Sequence, residues 1–277
     1  MAGVLKCGRF TLPLDRPLIM GVVNVTPDSF SDGGRFADAA QAVAHARRLI
    51  EEGADILDIG GESTRPGSAP VPVEEERRRV LPVLEGLSAC GVPLAVDTRK
   101  TQLMRDALAA GASMINDINA LGGAGAVEAL AGSEAAVCLM HMRGDPRTMQ
   151  DAPAYGDVVR EVGEFLRERV AAAQAAGIAR NRIVVDPGFG FGKTLEHNLA
   201  LLRGLSGFAG LGGALLAGLS RKSMLGRLTG RDVGERIHAS IAAALIAVKN
   251  GANIVRVHDV AATRDALAVW SAVNRES

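Results

Sequence analysis

No stretch of this sequence is apolar for long enough to cross a membrane. A spanning helix needs roughly 20 consecutive apolar residues, and the richest run, ASIAAALIAV at 239–248, stops at Lys249. Net charge is also missing, because 31 Lys+Arg balance 31 Asp+Glu. That balance argues against a nucleic-acid or anionic-membrane surface but leaves room for a local basic pocket. Cysteine is scarce: Cys7, Cys90 and Cys138 are odd in number and lack metal-type spacing. A disulfide framework and a zinc site are therefore not expected, and reduced thiols in a cytoplasmic protein fit the count. The start MAGVLKCGRF lacks the charged region and apolar core of a secretory signal. No linker or low-complexity tract divides the 277 residues, so one domain over 1–277 is expected.

What the sequence does contain is an alternation. LIMGVVNV (18–25) is an apolar run of strand length, as a strand buried on both faces requires. A helical stretch follows it, DAAQAVAHARRLIEEGA, with Gly53 as its stop signal. Strand-like runs recur near 55–60, 93–98, 113–118, 135–141, 182–187, 214–220 and 253–259. Helical segments lie between them, among them 74–89, 101–110, 157–176 and 235–250, with a last one near 261–274. Alternation of this kind gives a parallel sheet, and eight units point to a closed α/β (β/α)8 TIM barrel. Two connections, TPDSFSDGGRF (26–36) and ESTRPGSAPVPV (62–73), are long and rich in Gly, Pro and Ser. They follow the first two strands, at the face where barrels carry out chemistry, and read as lids in preference to inert connectors.

Polar residues interrupt the strands: Asn24, Asp58, Asp97, Asn116, Asp117, His141, Asp186, Arg256, His258 and Asp259. Each alone could cap a helix or satisfy a loop. Together, arriving at one rim, they read as a site, because an unpartnered carboxylate in an aliphatic barrel is costly. Asp97, Asn116 and Asp186 offer acceptors plus one amide, suited to a flat heterocycle with several N–H groups. Lys222, in LSRKSMLG, adds a cationic donor for a ring carbonyl or nitrogen. Arg256 and His258 are two apart on the last strand, where alternation puts both on one face and where barrels often bind phosphate. Arg65 could close over the same anion. The expected ligand is a planar N-heterocycle carrying a phosphate or diphosphate.

Three motifs are discounted. PGFGFGKT (187–194) is one residue short between its glycines for a phosphate-binding loop. Cys138 and His141 lack further ligands at zinc spacing. The run EEERRR (74–79) reads as a solvated helix face with its glutamates favouring the N-terminus. No Ser–His–Asp arrangement is visible.

Eight blocks carry a family resemblance: MGVVNVTPDSFSDGG (20–34), DIGGESTRPGS (58–68), AVDT (95–98), INDI (115–118), CLMHM (138–142), DPGFGFGK (186–193), GLSRKS (218–223) and VRVHDV (255–260). In content, order and spacing they resemble the bacterial dihydropteroate synthases, from about residue 10 to 270. That resemblance implies condensation of a dihydropterin methyl diphosphate with 4-aminobenzoate in folate biosynthesis, and a target for sulfonamides. Residue by residue, it implies that Asp97, Asn116, Asp186 and Lys222 hold the pterin, with Met140, Phe191 and Gly218 shaping its slot. Asn24 resembles the ligand of Mg2+, and Arg256 and His258 the diphosphate anchors, with Val257 and Thr64 also in that substrate's contacts. Thr64, Arg65 and Pro66, with Phe30 and Ser223, resemble the lid and wall around 4-aminobenzoate. Asp97, Lys222, Arg256 and His258 carry the catalytic expectation. A homodimer is expected, with helix 235–250 as one candidate surface. Arg99 and Asn119–Ala120 stand where relatives differ. A pterin-binding methyltransferase and a catalytically silent relative are the alternatives; the first would not need the diphosphate anchors, and the second would be expected to lose some of Asn24, Asp97, Lys222 or Arg256.

Overall fold

The computed structural model describes residues 3–25, 35–63 and 67–274, without the side chains of 35–38. A two-stranded antiparallel hairpin comes first, β1 (Val4–Cys7) and β2 (Phe10–Pro13). The barrel strands follow as β3 (Leu18–Asn24), β4 (Ile56–Gly60), β5 (Leu94–Asp97), β6 (Met114–Asp117), β7 (Ala136–Met140), β8 (Ile183–Asp186), β9 (Ala214–Ala217) and β10 (Ile254–Val257). All eight run parallel and close in sequence order, with β10 pairing back onto β3. Around them lie α1 (Arg35–Glu51), α2 (Val73–Gly86), α3 (Thr101–Ala109), α4 (Ala126–Ala131), α5 (Val158–Ala175), α6 (Leu195–Arg203), α7 (Ser223–Thr229), α8 (Ile237–Lys249) and α9 (Val260–Asn274). The expected strands and longer helices are present. The short helices α4, α6 and α7 and the opening hairpin were not named from sequence.

Strand alternation splits the interior into two cores. Outward positions such as Leu57, Val96, Ile115, Leu139, Val185 and Val255 pack against the helices. Inward positions Leu18, Met20, Ile56, Met114, Val184 and Ile254 fill the barrel floor. Both faces are therefore apolar, which is why each strand reads as a continuous run.

The hairpin closes the floor. Leu5 and Cys7 point into the inner core and are fully buried, while their neighbours Val4 and Lys6 face solvent. Cys7 Sγ donates to the Ser113 carbonyl at 3.2 Å, at the start of β6. Burial pushes this thiol up to about 12, so it stays a neutral apolar plug.

The EEERRR reading needs correction. Glu74 and the arginines do hold surface ion pairs, but Glu76 is only 1% exposed. It turns inward to meet Lys100, which also pairs with Glu62. Three consecutive glutamates on a helix point about 100° apart, so one of them falls on the barrel side.

The hairpin gives a test. Leu5→Ala should destabilise the protein by about 2–5 kcal/mol, the usual cost of emptying a fully buried leucine site. Because the floor lies opposite the rim where polar residues gather, denaturant melts should shift while turnover at low temperature holds. Turnover falling in step with stability would show that floor and rim are coupled.

Candidate active site

Inward positions change character along the barrel. Ile56 is followed by Asp58, Ala95 by Asp97, Met114 by Asn116, Val184 by Asp186, Leu216 by Gly218 and Ile254 by Arg256. Since inward residues recur every second position, an apolar floor gives way to a polar ring. Strand register sets the neighbours: Asp97 lies beside Gly60 and Asn116, Met140 beside Asp186, and Asp58 one inward step lower, beside Ala95.

Arg256 sits among the acids of this ring. Its Nε donates to Asp58 Oδ2 at 2.5 Å and its Nη2 to Asp97 Oδ2 at 3.0 Å. Asn116 Nδ2 donates to the same Asp58 oxygen at 3.0 Å. Asp58 is fully buried, and its Oδ1 has no hydrogen-bond partner among the described residues. Burial and the neighbouring Asp58 charge push the Asp97 carboxyl up to about 7, against the pull of Arg256. Burial also raises Asp186, opposed first by the Gly188 N–H, which donates to its Oδ1 at 2.7 Å. Lys222 is lowered to about 8, by burial and then by Arg256.

Beside the ring is a partly apolar wall, one side of the slot that the sequence leads one to expect. Ile118, Met140, Met149 and Phe191 form a small cluster apart from both main cores. Lys222 Nζ lies 4.1 Å from the Phe191 ring centroid, a cation–π contact. Two glycines border the polar ring. A Cβ on Gly218 would stand 3.9 Å from Asp186 Oδ2 and from Arg256 Cβ, and one on Gly60 would stand 3.6 Å from Asp97 Cβ. Beside the slot is a groove of about 550 Å3 whose lining includes Asn24, His45, Arg48, Arg221 and His258. His258 Nδ1 is 3.0 Å from Ser220 Oγ, and Arg221 grips Asp259 through two hydrogen bonds of 2.6 and 3.1 Å.

Of the predicted site residues, Asp97, Asn116, Met140, Asp186, Phe191, Gly218, Lys222 and Arg256 converge at ring and slot. Asn24 and His258 line the adjacent groove. Ser223 begins α7 and is exposed. Phe30, Thr64, Arg65 and Pro66 lie outside the described residues. Val257 alternates with Arg256, so its side chain is buried in the outer core and only its backbone faces the ring. Asp117 also faces outward, where its carboxylate accepts the Asn119 and Leu121 N–H groups at 2.8 and 2.7 Å and shapes the turn. Arg99 bridges two loops at the rim, 3.4 Å from Asp145 and 3.5 Å from Glu62. Asp58 stands among the interruptions of the strands but has no role in the sequence reading; an inward carboxylate on the second strand, one inward position before Gly60, is the available signal.

This geometry has known counterparts. Residues 20–258 match the family described as pterin binding enzyme. A dihydropteroate synthase of Neisseria meningitidis serogroup B is 56% identical over 277 residues, covering 98% of this chain and 97% of that protein. The chain belongs to the dihydropteroate synthases. Solved structures of that family agree throughout. Xanthomonas albilineans dihydropteroate synthase with 4-aminobenzoic acid is 55% identical with a TM-score of 0.94, each chain covered at 100%. The same organism's enzyme in complex with 7,8-dihydropteroate gives 50% and 0.89, again over the full length of both. Asn24, Asp97, Lys222 and Arg256, some of which a silent family member would be expected to lose, are all retained here.

Asp58 invites a direct test. Asp58→Asn keeps the shape while removing one of the two charges that hold Arg256. Affinity for the pterin diphosphate should fall about tenfold, equivalent to roughly 1.4 kcal/mol, with the circular dichroism spectrum unchanged. Unaltered affinity in titration calorimetry would mean that Arg256 is oriented without it.

Proposed function

We propose that the polar ring and slot bind a 7,8-dihydropterin carrying a methyl diphosphate, and that diphosphate departs as 4-aminobenzoate adds. The chain is a transferase, and its product is 7,8-dihydropteroate. The observation that carries this reading is the inward ring of Asp97, Asn116, Asp186 and Arg256 beside an apolar wall, in a chain similar to dihydropteroate synthases over its whole length.

Along its edge a pterin presents N–H donors and one carbonyl. Asp186 and Asp97 accept from the donors, Asn116 serves either way, and Lys222 donates to the carbonyl or a ring nitrogen. The ring packs on Met140 and Phe191, in the space Gly218 leaves empty. When the methylene C–O bond breaks, its electron pair leaves with diphosphate, and the carbon is stabilised by the electron-rich dihydropterin. The amine lone pair of 4-aminobenzoate then forms the C–N bond, and its proton is lost. No strong base is required. What the protein must supply is charge: cations for the leaving group and an anion beside the ring as positive charge develops. Arg256 and His258 supply the first and ionised Asp97 the second. Thr64, Arg65, Pro66, Phe30 and Ser223 are assigned to 4-aminobenzoate and to excluding water from the cation. Sulfonamides, as mimics of 4-aminobenzoate, compete there.

Mg2+ fits this chemistry in one form. Among the described residues no group of three His, Cys, Asp or Glu could hold a metal. Asn24 offers an amide oxygen at the groove, and magnesium commonly takes one or two protein oxygens with phosphates and water completing its shell. Bound there with the diphosphate, it would neutralise the leaving group. Ile246, Val269 and Val273 are exposed apolar residues on α8 and α9, which supports a homodimer through that face; light scattering would test it. No helix among the described residues is long and apolar enough to cross a membrane, in keeping with a cytoplasmic enzyme.

A coupled assay of diphosphate release tests the reaction. Release should require both 4-aminobenzoate and Mg2+; release with neither would refute the assignment. A second expectation follows from Asp97, raised to about 7. If its anion is the active form, kcat/KM for the pterin diphosphate should rise with pH through an inflection near that value. Asp97→Asn should flatten the profile and lower kcat far more than it weakens pterin binding. Full turnover in that variant would remove the electrostatic role.

A further inference from the structure

We propose that Lys193 is a positioning residue, its buried ammonium held by His141 and serving as the counter-charge that keeps Asp186 a carboxylate acceptor for the pterin ring. The assignment rests on the reading of Asp186 as a pterin-binding group. Lys193 ends the DPGFGFGK block and is 3% exposed. Its Nζ lies 3.0 Å from His141 Nδ1, 3.3 Å from the His141 carbonyl and 2.9 Å from the Phe191 carbonyl. Burial and then Lys193 push the His141 ring down to about 3, so it is neutral and its Nδ1 accepts. Three acceptors need three N–H donors, which an ammonium has and a neutral amine lacks. None of the three is an anion, so the charge must be balanced elsewhere. Asp186 is the group that pulls Lys193 towards the charged form, and Lys193 in turn favours ionised Asp186.

The backbone fixes this arrangement. Gly188, at φ +70°, packs so closely on the end of β7 that a Cβ would fall 2.0 Å from the His141 carbonyl. Gly192, at φ +64°, is as tight, 2.4 Å from the Arg143 carbonyl. His141 N–H donates to the Asp186 carbonyl at 3.0 Å, and Tyr155 Oη to the Gly192 carbonyl at 2.9 Å. Lys193 therefore ties the Phe191 wall and the Asp186 edge of the slot to one strand end.

The other groups acting on Asp186 are Lys222 from the loop after β9 and Arg256 from β10, with the Gly188 N–H on its own loop. Across on β7 the Cys138 thiol is raised by burial and stays neutral. Burial lowers Lys193 to about 7, so it is cationic in the acid range where Asp186 takes up a proton. Removing that cation raises the Asp186 pKa. Pterin binding is then lost at a higher pH as the medium is acidified, while at alkaline pH Asp186 is ionised with or without its neighbour.

The test is calorimetry with 6-hydroxymethylpterin as probe across the acid-to-alkaline range, on Lys193→Met and Lys193→Gln. Both should move the acid limb of binding upward by about one pH unit, the order of an opposite charge's effect on a buried carboxyl, and converge on wild-type affinity at alkaline pH. Gln retains donors for His141 and Phe191 but not the charge, so it must share the shift; it also carries the test if Met prevents folding. His141→Asn, which keeps an acceptor near Nδ1, should leave the limb in place. Equal weakening at every pH, or rescue by Gln, would overturn the proposal. Asp186→Asn is the control. Wild-type affinity in that variant would sink the pterin-site reading itself, whereas a weakened control with unmoved limbs in the Lys193 variants would sink only this assignment.

Discussion

Arg256 enters the barrel from the last strand and meets carboxylates from the second and third, so one guanidinium spans the place where the sheet closes on itself. Bringing such charges out of water is expensive, and removing one partner leaves the others stranded. The ring answers this by setting opposite charges together: Arg256 holds Asp58 and Asp97, and Lys222 acts on Asp97 and Asp186. Burial raises Asp97 and the neighbouring Asp58 adds to it, burial lowers Lys222 and Arg256 adds to it, and each shift is limited by an opposite charge. A ligand that brings donors to one side of the ring and phosphate oxygens to the other exchanges these internal pairings for its own.

The barrel makes this possible by separating stability from chemistry along each strand. Outward residues and the lower inward residues are apolar and hold the fold. Only the upper inward residues of a strand are released from packing, so six strands can change those positions independently. Glycines at 60 and 218 extend the same logic by leaving the side chain out.

Much of this was legible in the sequence, for a physical reason. Strands covered on both faces leave continuous apolar runs, and a polar residue at the end of such a run stands out. Asp97, Asn116, Asp186 and Arg256 were found in that way. Other features were hidden because their signals are weak or ambiguous. The strands Val4–Cys7 and Phe10–Pro13 are four residues each, too short for an alternating pattern to stand out. Glu76 sits in a charged run, and only helix rotation reveals that it points inward. Lys193 follows a glycine-rich turn and resembles a failed phosphate loop; its burial depends on a contact with a strand 52 residues earlier. Val257 lies in a matching motif, but alternation turns its side chain the other way.

The hairpin beneath the barrel has an effect that reaches the opposite end. With Leu5 and Cys7 filling the base, the described interior is closed at the floor, so the polar ring is approached from the side where the strands end and their chemistry gathers.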